Sequence, residues 1–221
     1  MRFPLVSAAL VLANVVVYLL AIVHGGGFLD GPSRAVALRH GAIPAELSVG
    51  AAFSSIFIPA SLLQLLANSI ALALFGLNVE DATARLRFLA FYLLGALVAL
   101  ALTVLFAPSS RVPQLGGSGA VAAVLGAYLL LYPRARVIGV ALIPFLATIV
   151  EVPAVLLIGV WLLAQLWIGL AGLAGPIHGG WAIAYAAQCG ALLAGALAIQ
   201  PFADSERRAA KRRPPPPQPV Y

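Results

Sequence analysis

The sequence predicts an all-α fold, a polytopic membrane bundle of six transmembrane helices, and three observations predict it. The 221 residues are 62% hydrophobic and 9% charged, with a mean hydropathy of +1.04, more apolar surface than a soluble domain of this length can bury. Apolar runs recur along the chain at about 5–23, 61–77, 87–106, 117–132, 153–172 and 181–200. The thirteen basic residues gather near the ends of those runs, so the net charge of +6 reads as membrane topology rather than nucleic-acid binding.

The first run follows Arg2 and stays uncharged through Val23. A cleavable signal peptide is the competing reading, but no convincing small-residue cleavage pattern follows, so it reads as a retained helix. Residues 24–60 form a long loop with Gly25-Gly26-Gly27, Pro32, Pro44 and Pro59. Its Ala51–Ile58 stretch is too apolar to be simply solvated, and is expected in the interface or against the bundle. Residues 137–152 are apolar but carry Pro144 and end at Glu151-Val152-Pro153. Basic residues decide their status. With six spans and both termini inside, ten lie inside (Arg2, Arg85, Arg87, Arg134, Arg136 and the tail from Arg207 to Arg213) and three outside (Arg34, Arg39, Arg111). A seventh span would export the basic tail, against the positive-inside rule. Residues 137–152 are therefore expected as an irregular loop dipping into the protein, where no lipid meets its backbone. Glu151 is expected to pair with an arginine or a helix end.

Depth then groups the polar residues. Gln64 and Asn68, four apart, share one face near the outer end of the second span. Ser118 opens the fourth and Gln188 lies about two turns into the sixth. Amides and hydroxyls at that depth rarely face hydrocarbon, so one shared polar cavity is expected; ordinary interhelical hydrogen bonding is the alternative. Small residues four apart (Ser118, Ala122, Gly126; Ala187, Ala191, Gly195) let the fourth and sixth spans approach closely. Asn78, Glu80, Asp81, Arg85 and Arg87 read as a helix cap and ion-pair cluster. The lone Cys189 allows no intrachain disulfide and reads as a small packing residue.

An ordered set of motifs carries a resemblance. Gln64-Leu65-Leu66-Ala67-Asn68, Gly76-Leu77-Asn78-Val79-Glu80-Asp81 with Arg87-Phe88, Gly116-Gly117-Ser118-Gly119, Tyr132-Pro133-Arg134-Ala135-Arg136, Glu151-Val152-Pro153-Ala154 and Ala187-Gln188-Cys189-Gly190-Ala191 stand in that order. Over about residues 50–200 the chain resembles the bacterial rhomboid intramembrane serine proteases of the six-helix form. The resemblance implies that Ser118 holds the nucleophile position, and that Gln188 stands where a histidine would take its proton. It implies an oxyanion site at Gln64 (a histidine in the family), Asn68 and the backbone of Gly117. A glutamine amide has no useful basicity near neutral pH, and losing the base of such a unit leaves little catalysis.

The expectation is a silent rhomboid-like scaffold, a pseudoprotease, that binds transmembrane segments of other membrane proteins or serves in a larger membrane complex. The alternative is an active serine endopeptidase cleaving transmembrane substrates with Ser118. It would need water or His178 as base, and His178 lies ten residues before Gln188, about 15 Å along a helix. A small-molecule or lipid conduit is a third reading, disfavoured because the spans lack buried ionisable residues. No cofactor, metal or nucleic acid is expected. The place expected is a bacterial cytoplasmic membrane, with residues 1–200 as the membrane domain and 201–221 as a basic, Pro-rich cytoplasmic tail without fixed structure.

Overall fold

The computed structural model describes residues 4–143, 146–174 and 179–203. Helix α1 (Leu5–Val23) runs from one end of the bundle to the other. The loop after it carries the short helices α2 (Arg34–His40) and α3 (Val49–Ser54). Each starts on a serine cap: Ser33 Oγ accepts from the Val36 N–H and Ser48 Oγ from the Ala51 N–H. As the composition of Ala51–Ile58 predicts, this loop packs on the bundle, with Ala52, Ser55, Ile56 and Ile58 buried.

The second span is longer than 61–77. Helix α4 (Leu62–Ala71) passes through a π-helical stretch, Leu72–Gly76, into α5 (Leu77–Thr83). The extension past residue 77 carries polar groups because they are used inside the protein. Glu80 is 3% exposed. Its carboxylate accepts the Val6 N–H at 3.0 Å, the Ser7 N–H at 2.8 Å and the Ser7 hydroxyl at 2.8 Å. It therefore caps the N-terminus of α1, satisfying amides that open every helix unpaired and placing negative charge at the positive end of the dipole. The cap expected in this cluster exists, and it serves a helix more than seventy residues away in the chain. Ala84 alone joins α5 to α6 (Arg85–Phe106), in a backbone conformation of φ 70°, ψ 154° that is nearly reserved for glycine.

Helix α7 (Ser118–Leu131) is the centre of the molecule, with every residue from Gly119 to Tyr128 buried. Fourteen residues span about 21 Å, short of a hydrocarbon core of about 30 Å; protein rather than lipid surrounds this helix. After it comes the principal departure from expectation. Residues 137–152 are not an irregular loop. They belong to an antiparallel hairpin, β1 (Arg136–Ile143) and β2 (Leu146–Pro153), in register from Arg136 opposite Pro153 to Ile143 opposite Leu146. The stretch is rich in valine and isoleucine, residues that favour strands, and in a hairpin the inward-facing backbone groups of each strand pair with the other. The fold is thus mostly helical rather than all-α. Arg136 and Glu151 pair at 3.4 Å on the exposed base of the hairpin, the partnership expected for Glu151.

Helix α8 (Ala154–Ala174) follows, and α9 (Gly179–Ala198) returns along it. Among the described residues, four helices are long and apolar enough to cross a membrane: Leu5–Val23, Leu62–Thr83, Arg85–Phe106 and Ala154–Ala171. Ser118–Leu131 and Ile183–Ala198 are shorter apolar helices between them. Close approach of α7 and α9 depends on the predicted small residues. A Cβ on Gly126 would fall on the Leu192 carbonyl oxygen, and one on Gly195 on the Ala123 carbonyl. Gly126→Ala is expected to cost about 2 kcal/mol by forcing the two backbones apart. Gly159→Ala, on α8 where nothing lies within 4 Å, is expected to be neutral or to stabilise by up to about 1 kcal/mol. Unfolding of the two variants in detergent, compared directly, checks both signs.

Candidate functional site

The site is built where the α7 N-terminus meets the loop before α4. Gly116 donates its N–H to the Ser55 carbonyl at 2.8 Å and adopts φ +90°. A side chain there would strike the Gln64 amide as well as strain the backbone. Gly117 is wedged between the Tyr92 hydroxyl and the Ile56 carbonyl, which a Cβ would approach to 2.5 and 2.9 Å. Two successive glycines thus allow Ser118 to start the helix against a wall of backbone. Tyr92, 1% exposed, is in turn hydrogen-bonded to Asn14 of α1, whose amide also donates to the Leu10 carbonyl at 2.8 Å. The floor of the site is therefore fixed through α6 to α1.

Gln64, Ser118 and Gln188 line one cavity of about 90 Å³, together with Gln114, Tyr185 and small residues of α6, space for a few water molecules. Three of the four polar residues grouped by depth therefore meet. Asn68, one turn further along α4, is half-buried and does not line this cavity. His178, the candidate substitute base, lies outside the described residues, as does the tail beyond residue 203. Cys189 is buried in α9. Among the described residues, no three His, Cys, Asp or Glu side chains come together as a metal site would require.

What each amide does is more informative than where it sits. The Gln64 side-chain oxygen accepts the Ala60 N–H at 2.7 Å, while its backbone N–H is held by Ser61 Oγ, closing the entry to α4. The Gln188 side-chain oxygen accepts from Nε2 of Gln165 at 2.6 Å. Gln165 belongs to the buried stripe of α8, which runs through Ala154, Ile158, Leu162 and Gly169; that spacing presents one face of the helix to α9. Both amide oxygens are thus engaged within the protein. Gln64 and Gln188 therefore offer the cavity their amide N–H groups, beside the hydroxyls of Ser118 and Tyr185 and the side chain of Gln114, whose own N–H donates to the Val112 carbonyl. The cavity can donate to a carbonyl or carboxylate oxygen, but Gln188, the neighbour in the base position, can accept no proton. Among the described residues, Ser118 has no side-chain hydrogen-bond partner.

Sequence reasoning missed Gln165 and the Tyr92–Asn14 pair. Gln165 had a signal: it is the only amide in an otherwise apolar span, and the burial argument applied to Gln188 applies to it equally. Asn14 had the same signal in α1. Compared with known proteins, the chain matches a family model described as the rhomboid domain over residues 47–204. No curated protein matches it.

Proposed function

Since the chain belongs to the rhomboid family and is a rhomboid-like membrane protein, we propose that it is a catalytically silent member, a pseudoprotease that holds transmembrane segments of partner proteins without cutting them. Six spans with both termini inside a bacterial cytoplasmic membrane complete this reading: the short α7 and α9 join the four long helices, and the basic residues at 85, 87, 134 and 136 then face the inner side. The observation that carries the proposal is the Gln165–Gln188 hydrogen bond. The side chain in the position of the family's proton acceptor is a neutral amide whose oxygen is already occupied, so Ser118 has no base there to generate its alkoxide. The amide N–H groups of Gln64 and Gln188 and the Ser118 hydroxyl can still donate to a carbonyl of an entering segment.

A partner segment is expected to enter beside α4, whose Leu63, Leu66 and Ile70 are exposed. A photo-crosslinker at Leu66 should then capture a partner that one at Leu94 of α6, equally exposed, does not. The deciding experiment is cleavage of a model transmembrane substrate by reconstituted protein, run beside Ser118→Ala. Equal, background-level cleavage by both is the expected result. Cleavage abolished by Ser118→Ala would instead establish the active endopeptidase and direct attention to His178.

A further inference from the structure

At the end of the bundle that carries Ser118 there is a second cavity, of about 460 Å³, which shares no lining residue with the first. It lies between the last two turns of α1 and the underside of α2. Its floor is apolar: Val17, Leu20 and Ala21 from α1, Val36 from α2, and Ile58. Its rim is basic. Arg39 and His40 end α2, and His24 caps α1. We propose that this cavity is a binding site for one anionic phospholipid, with the phosphate at Arg39 and His40 and an acyl chain along Val17 and Leu20.

Charge, depth and shape all point to that ligand. Arg39 is exposed, and among the described residues it has neither an ion pair nor a hydrogen bond. No acidic side chain lines the cavity, so an ammonium headgroup finds no carboxylate while a phosphate finds a guanidinium. The negative helix ends nearby are already answered by protein. The Leu20 carbonyl accepts from the His24 N–H and lies 2.7 Å from His24 Nδ1, and the Ala37 carbonyl accepts the Gly41 N–H. The net charge offered to a ligand is therefore positive. Most of the floor belongs to a helix apolar enough to span the bilayer, and the rim to the end of that helix at His24 and of α2 at Arg39 and His40, which puts tail and headgroup at their ordinary depths. A free phosphate would leave the apolar floor unused, and the volume is that of a small-molecule pocket.

Native mass spectrometry of the full chain in detergent tests this, with phosphatidylglycerol and phosphatidylcholine of matched acyl chains added in equal amounts. The expected result is one retained phosphatidylglycerol, favoured at least tenfold over phosphatidylcholine. Arg39→Gln should bring the two lipids close to parity, and Val36→Trp should reduce retention of both by filling the floor. Millimolar inorganic phosphate should displace nothing. Equal retention of the two lipids by the native chain, an unchanged preference in Arg39→Gln, or displacement by phosphate alone would overturn the proposal. So would a species of twice the chain mass in place of the lipid adduct, which would mean that a second copy fills the groove. Unfolding temperatures in the absence of lipid show whether each variant is folded; if Val36→Trp is not, Ala35→Trp on the same wall replaces it.

Discussion

Returning histidines to both substituted positions, Gln64→His with Gln188→His, is expected to produce Ser118-dependent cleavage of a transmembrane substrate at least a hundredfold above the same chain carrying Ser118→Ala. General-base catalysis contributes about 10²–10⁴ to reactions of this kind, and the nucleophile side chain, the glycine wall and the cavity are already in place. Gln165 should influence the outcome. Its amide now donates to the side chain at 188; turned over, it would present its oxygen to the N–H of the new imidazole and fix the tautomer whose other nitrogen faces Ser118. Adding Gln165→Leu is therefore expected to reduce the recovered rate by roughly tenfold, since tautomer control alone can be worth more than that. A folded double variant with no cleavage above its Ser118→Ala control would show that the geometry, and not only the base, has been lost.

Glu80→Ala is expected to be the most destabilising single substitution outside the helix crossings, at roughly 3–5 kcal/mol. Hydrogen bonds to a charged acceptor each contribute about 1.5–3 kcal/mol, and donors left buried without a partner cost about 1–3 kcal/mol each. Removing the carboxylate orphans the Val6 and Ser7 amides and the Ser7 hydroxyl together. Glu80→Gln keeps one acceptor oxygen and most of the shape, and is expected to cost about half as much. Chemical unfolding in mixed micelles orders the three proteins. If Glu80→Ala proved as stable as the native chain, α1 would have to find its cap elsewhere.

The two substitutions also mark where the sequence was legible. Ser118, Gln64 and Gln188 could be placed together because polar groups at one depth of a bundle must face protein, and the structure gathers them. Apolar length and basic flanks located the helices to within a few residues. The exceptions have physical causes. The second span reaches Thr83 because Glu80, which reads as part of a cap and ion-pair cluster beyond the span, is held by the first turn of α1, and no local pattern announces a partner 73 residues away. The hairpin from Arg136 to Pro153 was hidden because Pro144 and Pro153 look like loop punctuation, whereas Pro153 closes the second strand. Gln165 carried the right signal without a motif, and its role required knowing which face of α8 meets α9.

The single-residue link at Ala84 bears on movement. With one residue between Thr83 and Arg85, and with Glu80 tied to the start of α1, the lower part of the second span is clamped at both flanks. Among the described residues, helix α4, above the π-helical turn Leu72–Gly76, has no comparable side-chain hydrogen bond to α1. If α4 swung outward, the bend would fall at that turn, where i to i+5 bonding already departs from the α-helix, and would leave α5 and α6 standing as a fixed post.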